Sequence, residues 1–230
     1  RTDKQRQEII DVFEKYKNYY QGGVTRPQPT DFVLEYFKNS DKGFFIDVGA
    51  HDGITWNNSI ALSEIHNWSG ICIEAHPKVF KLLIANRTER ETCLNIGSHS
   101  EDGSLTFREI NGYSEMLSGF IKDYDPKHEE RIKREIYQYG GSYQEIKVNV
   151  EKLETTISNH NVNKVDYLSI DVEGAELHVL KGLNLKLNRP TLISIEDNGY
   201  TSDPHDFLQD NKYTYITKIA GDCFYENSIL

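Results

Sequence analysis

The spacing of apolar residues changes character near residue 44. Before it, Ile9, Phe13, Tyr16 and Tyr20 recur at helical intervals and predict an amphipathic helix that stops at Gly22-Gly23. Pro27 and Pro29 separate it from a second helix, with Thr30 as N-cap and Phe32, Val33, Tyr36 and Phe37 on its apolar face. Residues 1–42 therefore read as a helical lead-in. From Phe44 onward, short apolar runs alternate with helical segments: FFIDVG at 44–49, GICIEA at 70–75, TCLNIG at 92–97, VDYLSID at 165–171 and TLISIED at 191–197. Unbroken apolar runs suit strands buried on both faces, and the alternation predicts a mostly parallel sheet covered by helices on both sides, an α/β domain over 43–230. Two last runs, YTYITKI and CFYENSI, are joined by AGD and predict an antiparallel hairpin at the sheet edge, for seven strands in all.

Residues 103–151 break this rhythm. GSLTFREI and IKVNVEKL predict strands, and GYSEMLSGF predicts a loop. DPKHEERIKREIYQYGG predicts a helix with Asp125 as N-cap, Pro126 in the first helical position and Gly140-Gly141 as its stop. The segment is placed as an insertion at the ligand-binding rim.

Charge narrows the partners. With 26 Lys+Arg against 36 Asp+Glu, for a net of -10 and no basic cluster, the 230-residue chain repels polyanions, so nucleic acid is not expected. Cys72, Cys93 and Cys223 have no metal-ligand spacing and read as core thiols of a reducing, cytoplasmic compartment. Asn57-Asn58-Ser59, Asn67-Trp68-Ser69 and Asn86-Arg87-Thr88 match the glycosylation sequon by chance, since a glycan on the first would block its own loop. No apolar run reaches membrane-spanning length, so no membrane insertion is expected. The chain opens on Arg1, which fits a piece of a longer polypeptide.

In an open parallel sheet, ligands bind beyond the carboxyl ends of the strands, and acids collect there in this sequence. The first run ends Asp47-Val48-Gly49 and continues to Gly53. A dinucleotide loop would carry glycine at position 51, where His51 stands, and Asp47 and Asp52 would repel a pyrophosphate. Such a loop favours a nucleoside that bears positive charge and no phosphate, which describes S-adenosylmethionine. Glu74 ends the second run 21 positions after Gly53, close to the ~20 of a ribose-binding acid. Asp171 ends the fourth run, beside the first in a doubly wound sheet, so its carboxylate is expected in the same crevice. Glu173 and Glu176 are expected to open the next helix, with Glu176 in a capping role. Glu196, Asp197 and Asn198 end the fifth run and, with Asp171, could hold a hard divalent ion or form ordinary turn chemistry.

Taken in order, FIDVGAHDGITWNNS, GICIEAHP, GYSEMLSGF, YLSIDVEGAELHVLKG and ISIEDNGY resemble the FkbM-type S-adenosylmethionine-dependent methyltransferases, from about Phe44 through the terminal hairpin. The Asp-x-Glu-Gly-x-Glu run at 171–176 is the most specific part. The resemblance implies a Rossmann-like seven-stranded fold and cofactor contacts from Asp47, Gly49, His51, Gly53, Glu74, Ala75, Ser98 and Asp171. It also implies O-methylation of a sugar, glycan or secondary metabolite. His76 stands where relatives often carry asparagine, and Asp197 is not shared by all of them, which leaves metal dependence open.

The expected reaction is methyl transfer to a hydroxyl, such as one of a deoxyhexose, with Asp171 as base or metal ligand and Glu173 and Asp197 behind it. The metal set under test is Asp171, Asp197 and Asn198, for Mg or Mn. His51, His76, His99 and His205 are rival bases. Rim tyrosines 113, 124, 139, 143 and 200 offer faces for a polar ring. Two alternatives stand beside this: a nitrogen or protein acceptor, and a non-catalytic S-adenosylmethionine-binding module. A nicotinamide-dependent reductase is excluded by the missing pyrophosphate glycine.

Overall fold

A computed structural model of the protein describes residues 28–229, so the helix expected over Ile9, Phe13, Tyr16 and Tyr20 lies outside the described residues. The strands are β1 (Phe44–Val48), β2 (Ser69–Ile73), β3 (Glu91–Leu94), β4 (Gly97–Ser98), β5 (Gly103–Asn111), β6 (Gly119–Phe120), β7 (Ser142–Glu151), β8 (Tyr167–Ile170), β9 (Leu192–Glu196), β10 (Tyr213–Ile219) and β11 (Asp222–Asn227). The helices are α1 (Pro29–Tyr36), α2 (Ile60–His66), α3 (Pro77–Asn86), α4 (Pro126–Tyr139), α5 (Leu153–Asn159), α6 (Glu176–Lys181) and α7 (Asp203–Asp210).

Seven strands form the main sheet in the order β10-β11-β9-β8-β1-β2-β3. From β3 to β9 the pairing is parallel, and β11 runs antiparallel to β9 and β10. The fold is Rossmann-like, mostly parallel with an antiparallel C-terminal hairpin. The apolar runs are unbroken because both faces of the sheet are covered. One face buries Ile46, Val48, Ile71, Ile73, Leu168 and Ile170. The other buries Phe45, Cys72, Tyr167, Leu192 and Phe224. Each such side chain contributes ~1.5–3 kcal/mol on full burial. The last connection is tighter than expected, a two-residue turn of Ala220 and Gly221 with Ala220 at φ 53°.

Helix α1 is part of this core, and not only a lead-in: Val33, Leu34 and Phe37 join Trp68 and Phe45 in the second cluster. Phe37 meets Trp68 edge-on at 4.8 Å, and Phe32 meets Phe224 at 4.6 Å. Its N-cap is Gln28, not Thr30. Pro29 has no N–H to lose and a φ already set for a helix, so the helix starts there, and the Asp31 carboxylate accepts from Gln28 N at 3.2 Å.

The interruption is larger than an insertion of two strands. It builds a second sheet, β4-β7-β5-β6, in which β5 and β7 pair from Gly103↔Val150 to Asn111↔Ser142. The third apolar run is thereby divided: β3 ends at Leu94, and Gly97–Ser98 pairs with Val150–Glu151 of the second sheet. The GYSEMLSGF segment, expected as a loop, contains a 3-10 turn (Glu115–Leu117) and β6. Helix α4 has the expected Asp125 cap, accepting from Lys127 N at 2.8 Å, and ends at Gly140.

Candidate active site

The carboxyl ends of β1, β2 and β8 open on a cleft of about 890 Å³, mouth included. The chain leaves β1 through Gly49, at φ 84°, and folds back so that Gly49 N and Ala50 N donate to Ile73 O at 2.9 and 3.0 Å. A Cβ on Gly49 would lie 1.7 Å from the Asp171 carbonyl oxygen, so only glycine lets the ends of β1 and β8 meet here. His51 N then donates to Glu74 Oε2 at 2.8 Å, and His76 N donates to Oε1 at 2.7 Å. Burial pushes the Glu74 carboxyl up, against the pull of these amides and the two imidazoles. Ala75 and Ser98 complete this wall; Ser98 is 2% exposed, and its hydroxyl has no partner among the described residues.

Asp47 lines the cleft from inside a polar network. Its Oδ2 accepts from Asn57 Nδ2 at 2.7 Å and Ser59 Oγ at 2.5 Å, and the buried Arg87 guanidinium stands 3.6 Å away. Arg87 also donates to Asn57 Oδ1 and Ser59 Oγ at 2.8 and 2.9 Å. The charge of Asp47 is thus already answered within the fold, and the cationic-ligand argument rests on the other acids. With Asn57 buried, its sequon is closed to a glycan in the folded state.

The opposite wall is acidic and short of partners. Asp171 and Glu173 line it, Glu196 lines a second groove behind them, and the three present carboxylate oxygens within 4.8 Å of one another. Burial, then the neighbouring Glu196 and Glu173, push Asp171 well above the usual carboxylate range. Glu196 is raised to about 7 by burial and by Glu176, partly offset by a hydrogen bond with Asp171. Two carboxyls crowded in this way titrate as a pair, and ionising both at once is disfavoured. Asp222, whose carboxylate accepts from Asn58 Nδ2 at 2.9 Å, is raised by burial to about 6.

Glu173 does not begin a helix. It sits at φ 56°, in a turn whose amides, Val172 N and Gly174 N, donate to Glu176 Oε1 at 3.3 and 3.0 Å, and α6 starts only at Glu176. Glu176 thus caps the turn, and Glu173 is pushed toward the cleft and toward His128 Nδ1, 3.5 Å from its Oε2. His128 Nε2 faces Leu117 O at 3.2 Å.

Other expected residues lie elsewhere. Gly53 is absent from the cleft lining and faces α3, where a Cβ would meet Leu83 and Arg87 at 2.8 and 2.9 Å. Asp52 turns into its own loop, accepting from Ile54 N, Thr55 N and Thr55 Oγ. Asp197 and Asn198 line a second groove instead. Asp197 pairs with Lys218 at 2.7 Å beside His205 and Cys223, and Asn198 donates to Glu196 at 2.7 Å. The expected metal set is therefore split: Asp171 clusters with Glu173 and Glu196, Asp197 with His205 and Cys223. Of the rival bases, His76 caps α3 through Nδ1 and faces Ile110 O through Nε2. His51 lines the cleft with both ring nitrogens unbonded among the described residues, 3.7 Å from Glu115. Burial works against its charge, yet Asp52, Glu74 and Glu115 together raise its pKa. Sequence reasoning assigned no role to Asn57, Ser59, Arg87, Asp222 or Glu115.

The methyltransferase FkbM domain matches residues 47–216. Among solved structures, a methyltransferase FkbM from Methylobacillus flagellatus KT aligns with TM-score 0.52 and 14% identity over 95% of this chain, which spans 59% of that one. The putative methyltransferase yhhF from Escherichia coli aligns with TM-score 0.45 and 11% identity, over 91% of this chain and 90% of its own. An O-methyltransferase from Bacillus cereus, in complex with SAH, aligns with TM-score 0.46 and 12% identity, over 98% and 92%. No curated protein sequence matches significantly.

Proposed function

The chain belongs to the FkbM methyltransferase family, and from that premise we propose that it moves a methyl group from S-adenosylmethionine to a hydroxyl oxygen of a sugar or glycan. One observation carries the reading: a partnered acid, Glu74, and two acids short of partners, Asp171 and Glu173, line one cleft at the strand ends, with Glu196 crowding Asp171 from the groove behind.

The residues present fit the cofactor. Glu74 spends one lone pair of each oxygen on a loop amide and keeps another for a ribose hydroxyl. Ser98 offers an unused buried hydroxyl, Gly49 and Ala75 let a ligand approach the backbone, and His51 closes the loop above Glu74. Uncompensated carboxylates in the facing wall favour a ligand with positive charge. S-adenosylmethionine supplies, when bound, a methyl carbon made electrophilic by its sulfonium.

An aliphatic hydroxyl is a weak nucleophile until its proton leaves. Asp171 takes that role best, because it lines the cleft and titrates as a pair with Glu196, whose charge raises its affinity for a proton. Glu173, turned inward by its left-handed backbone, orients the acceptor. Asp197 takes no part, since Lys218 and the second groove hold it. Asp171, Glu173 and Glu196 are oxygen donors of the sort Mg or Mn takes, and no step is assigned to a metal.

None of the five tyrosines expected at the rim lines the cleft, so the sugar acceptor rests on the family resemblance alone. Tyr113 and Tyr139 lie exposed with ring centroids 4.2 Å apart, and Tyr143 is exposed with the Arg108 guanidinium 4.6 Å above its ring. Tyr124 is spent on Leu117 O, and Tyr200 lines the second groove. Incubation with methyl-labelled S-adenosylmethionine and a panel of hexose and deoxyhexose glycosides, with and without a chelator, tests the proposal. Label on a glycoside hydroxyl supports it; label only on amines or protein side chains replaces the acceptor, and SAH binding without turnover on any acceptor replaces the enzyme by a binding module.

A further inference from the structure

Away from the cleft, three elements bring His99, Asp123 and His178 together: the end of β4, the 3-10 turn Ile121–Asp123 and helix α6. His99 Nε2 lies 3.3 Å from Asp123 Oδ2, and His178 Nε2 lies 3.4 Å from Asp123 Oδ1. The two imidazoles stack with centroids 4.3 Å apart, so both present Nε2 to the same carboxylate. At the other edge, Ser100 Oγ stands 3.2 Å from His99 Nδ1 and 3.1 Å from His178 Nδ1. His99 is fully buried, the Asp123 side chain is 5% exposed, and neither His99 Nε2 nor Asp123 Oδ2 has a hydrogen-bond partner among the described residues.

We propose that His99, Asp123 and His178 form a binding site for a divalent transition-metal ion of the zinc class, distinct from the methyl-transfer cleft.

The distances favour an ion over direct hydrogen bonds. A charged imidazole donating to a carboxylate closes to about 2.7–2.9 Å, shorter than either contact. One ligand atom from each of the three residues lies within 4.8 Å of the others, close enough for a single ion with bonds of about 2.0–2.1 Å to reach all three after small side-chain shifts. The proton inventory agrees. A neutral histidine that ligates through Nε2 carries its proton on Nδ1, and in that tautomer both rings would donate to Ser100 Oγ, a hydroxyl able to accept twice. With both protons on Nε2 instead, Ser100 has one proton for two acceptors. Two imidazoles and a carboxylate suit zinc and leave a fourth position to water.

Bound there, the ion ties the second sheet to the helix that follows Asp171. The test uses the full chain stripped with a chelator and titrated with zinc chloride by calorimetry, with cobalt(II) absorption reporting coordination geometry. One zinc per chain is expected, with binding lost in His178→Ala and in Asp123→Asn and retained in Glu196→Gln. Ser100→Ala, which keeps all three ligands, is expected to weaken binding about tenfold. Near-ultraviolet dichroism confirms that each variant is folded. Absence of zinc binding to the folded chain, or binding unchanged in His178→Ala, overturns the proposal. So does an imidazolium on His99 or His178 by NMR that zinc does not displace, which would make the cluster a proton-sharing triad.

Discussion

The two walls of the cleft are both acidic, and they are built by opposite means. On one side, Asp47 has an arginine, an amide and a hydroxyl, and Glu74 has two backbone amides. On the other, Asp171 and Glu173, with Glu196 behind them, have mainly each other. The same residue type therefore does two jobs. Carboxylates with donors aimed at them are fixed in place and can hold a ligand, while carboxylates crowded into low dielectric retain a proton near neutrality and can exchange it.

The comparison breaks most visibly at Asp171. Asp171→Asn is expected to lower turnover by ~10²–10⁴-fold while SAH affinity stays within a few-fold, read by single-turnover assays beside calorimetry. A large loss of SAH affinity would instead place Asp171 in the binding wall. On the partnered side, Arg87→Met leaves Asp47 buried without its cation and is expected to cost ~3–5 kcal/mol by chemical denaturation. Adding Asp47→Asn to that variant should return part of the loss; strict additivity would mean that the pair does not interact.

Glu74→Gln keeps the volume but removes the charge and reverses one amide contact. An expected cost of ~1.5–3 kcal/mol in SAH binding, with kcat at saturation little changed, marks it as a binding residue. A fall in kcat alone would move it to the other wall. The pH dependence comes next. Asp222 and Glu196 have folded-state pKa values raised to about 6 and about 7, so the folded state binds more protons than the unfolded chain. Their contribution to stability is complete below about pH 4 and is lost as pH rises to about 7, on the order of 3 kcal/mol for each group. Denaturation midpoints that rise across this window would show that these acids are better solvated than the fold implies. The smallest effect is at Glu173→Gly, which relieves a left-handed backbone and is expected to stabilise by about 1 kcal/mol or less while reducing activity.

Much of this was legible in one dimension. The runs at 44–49, 70–75, 165–171 and 191–197 read correctly as buried parallel strands, because unbroken apolar character is what two covered faces demand. The third run read one strand where two sheets divide it, since Gly97–Ser98 pairs with Val150–Glu151, more than 50 residues away, and nothing local records that choice. Glu173 read as helical because acids are common in first turns, but Glu176 reaching back to Val172 N and Gly174 N held the chain out of the helix. Asp197 read as a partner of Asp171 because both end neighbouring strands, yet Lys218 on the hairpin turns it to the other side.

By itself the sequence determined the strand runs, the glycine turn after Asp47 and the acids at the strand tips, since each follows from local periodicity or from a backbone angle that few residues tolerate. Tertiary structure alone decided which acids gained donors and which were left to share protons. Arg87, Lys218 and the His99–Asp123–His178 meeting come from distant segments, and a carboxylate's charge depends on what folding places beside it, at distances of a few ångströms that sequence spacing does not encode.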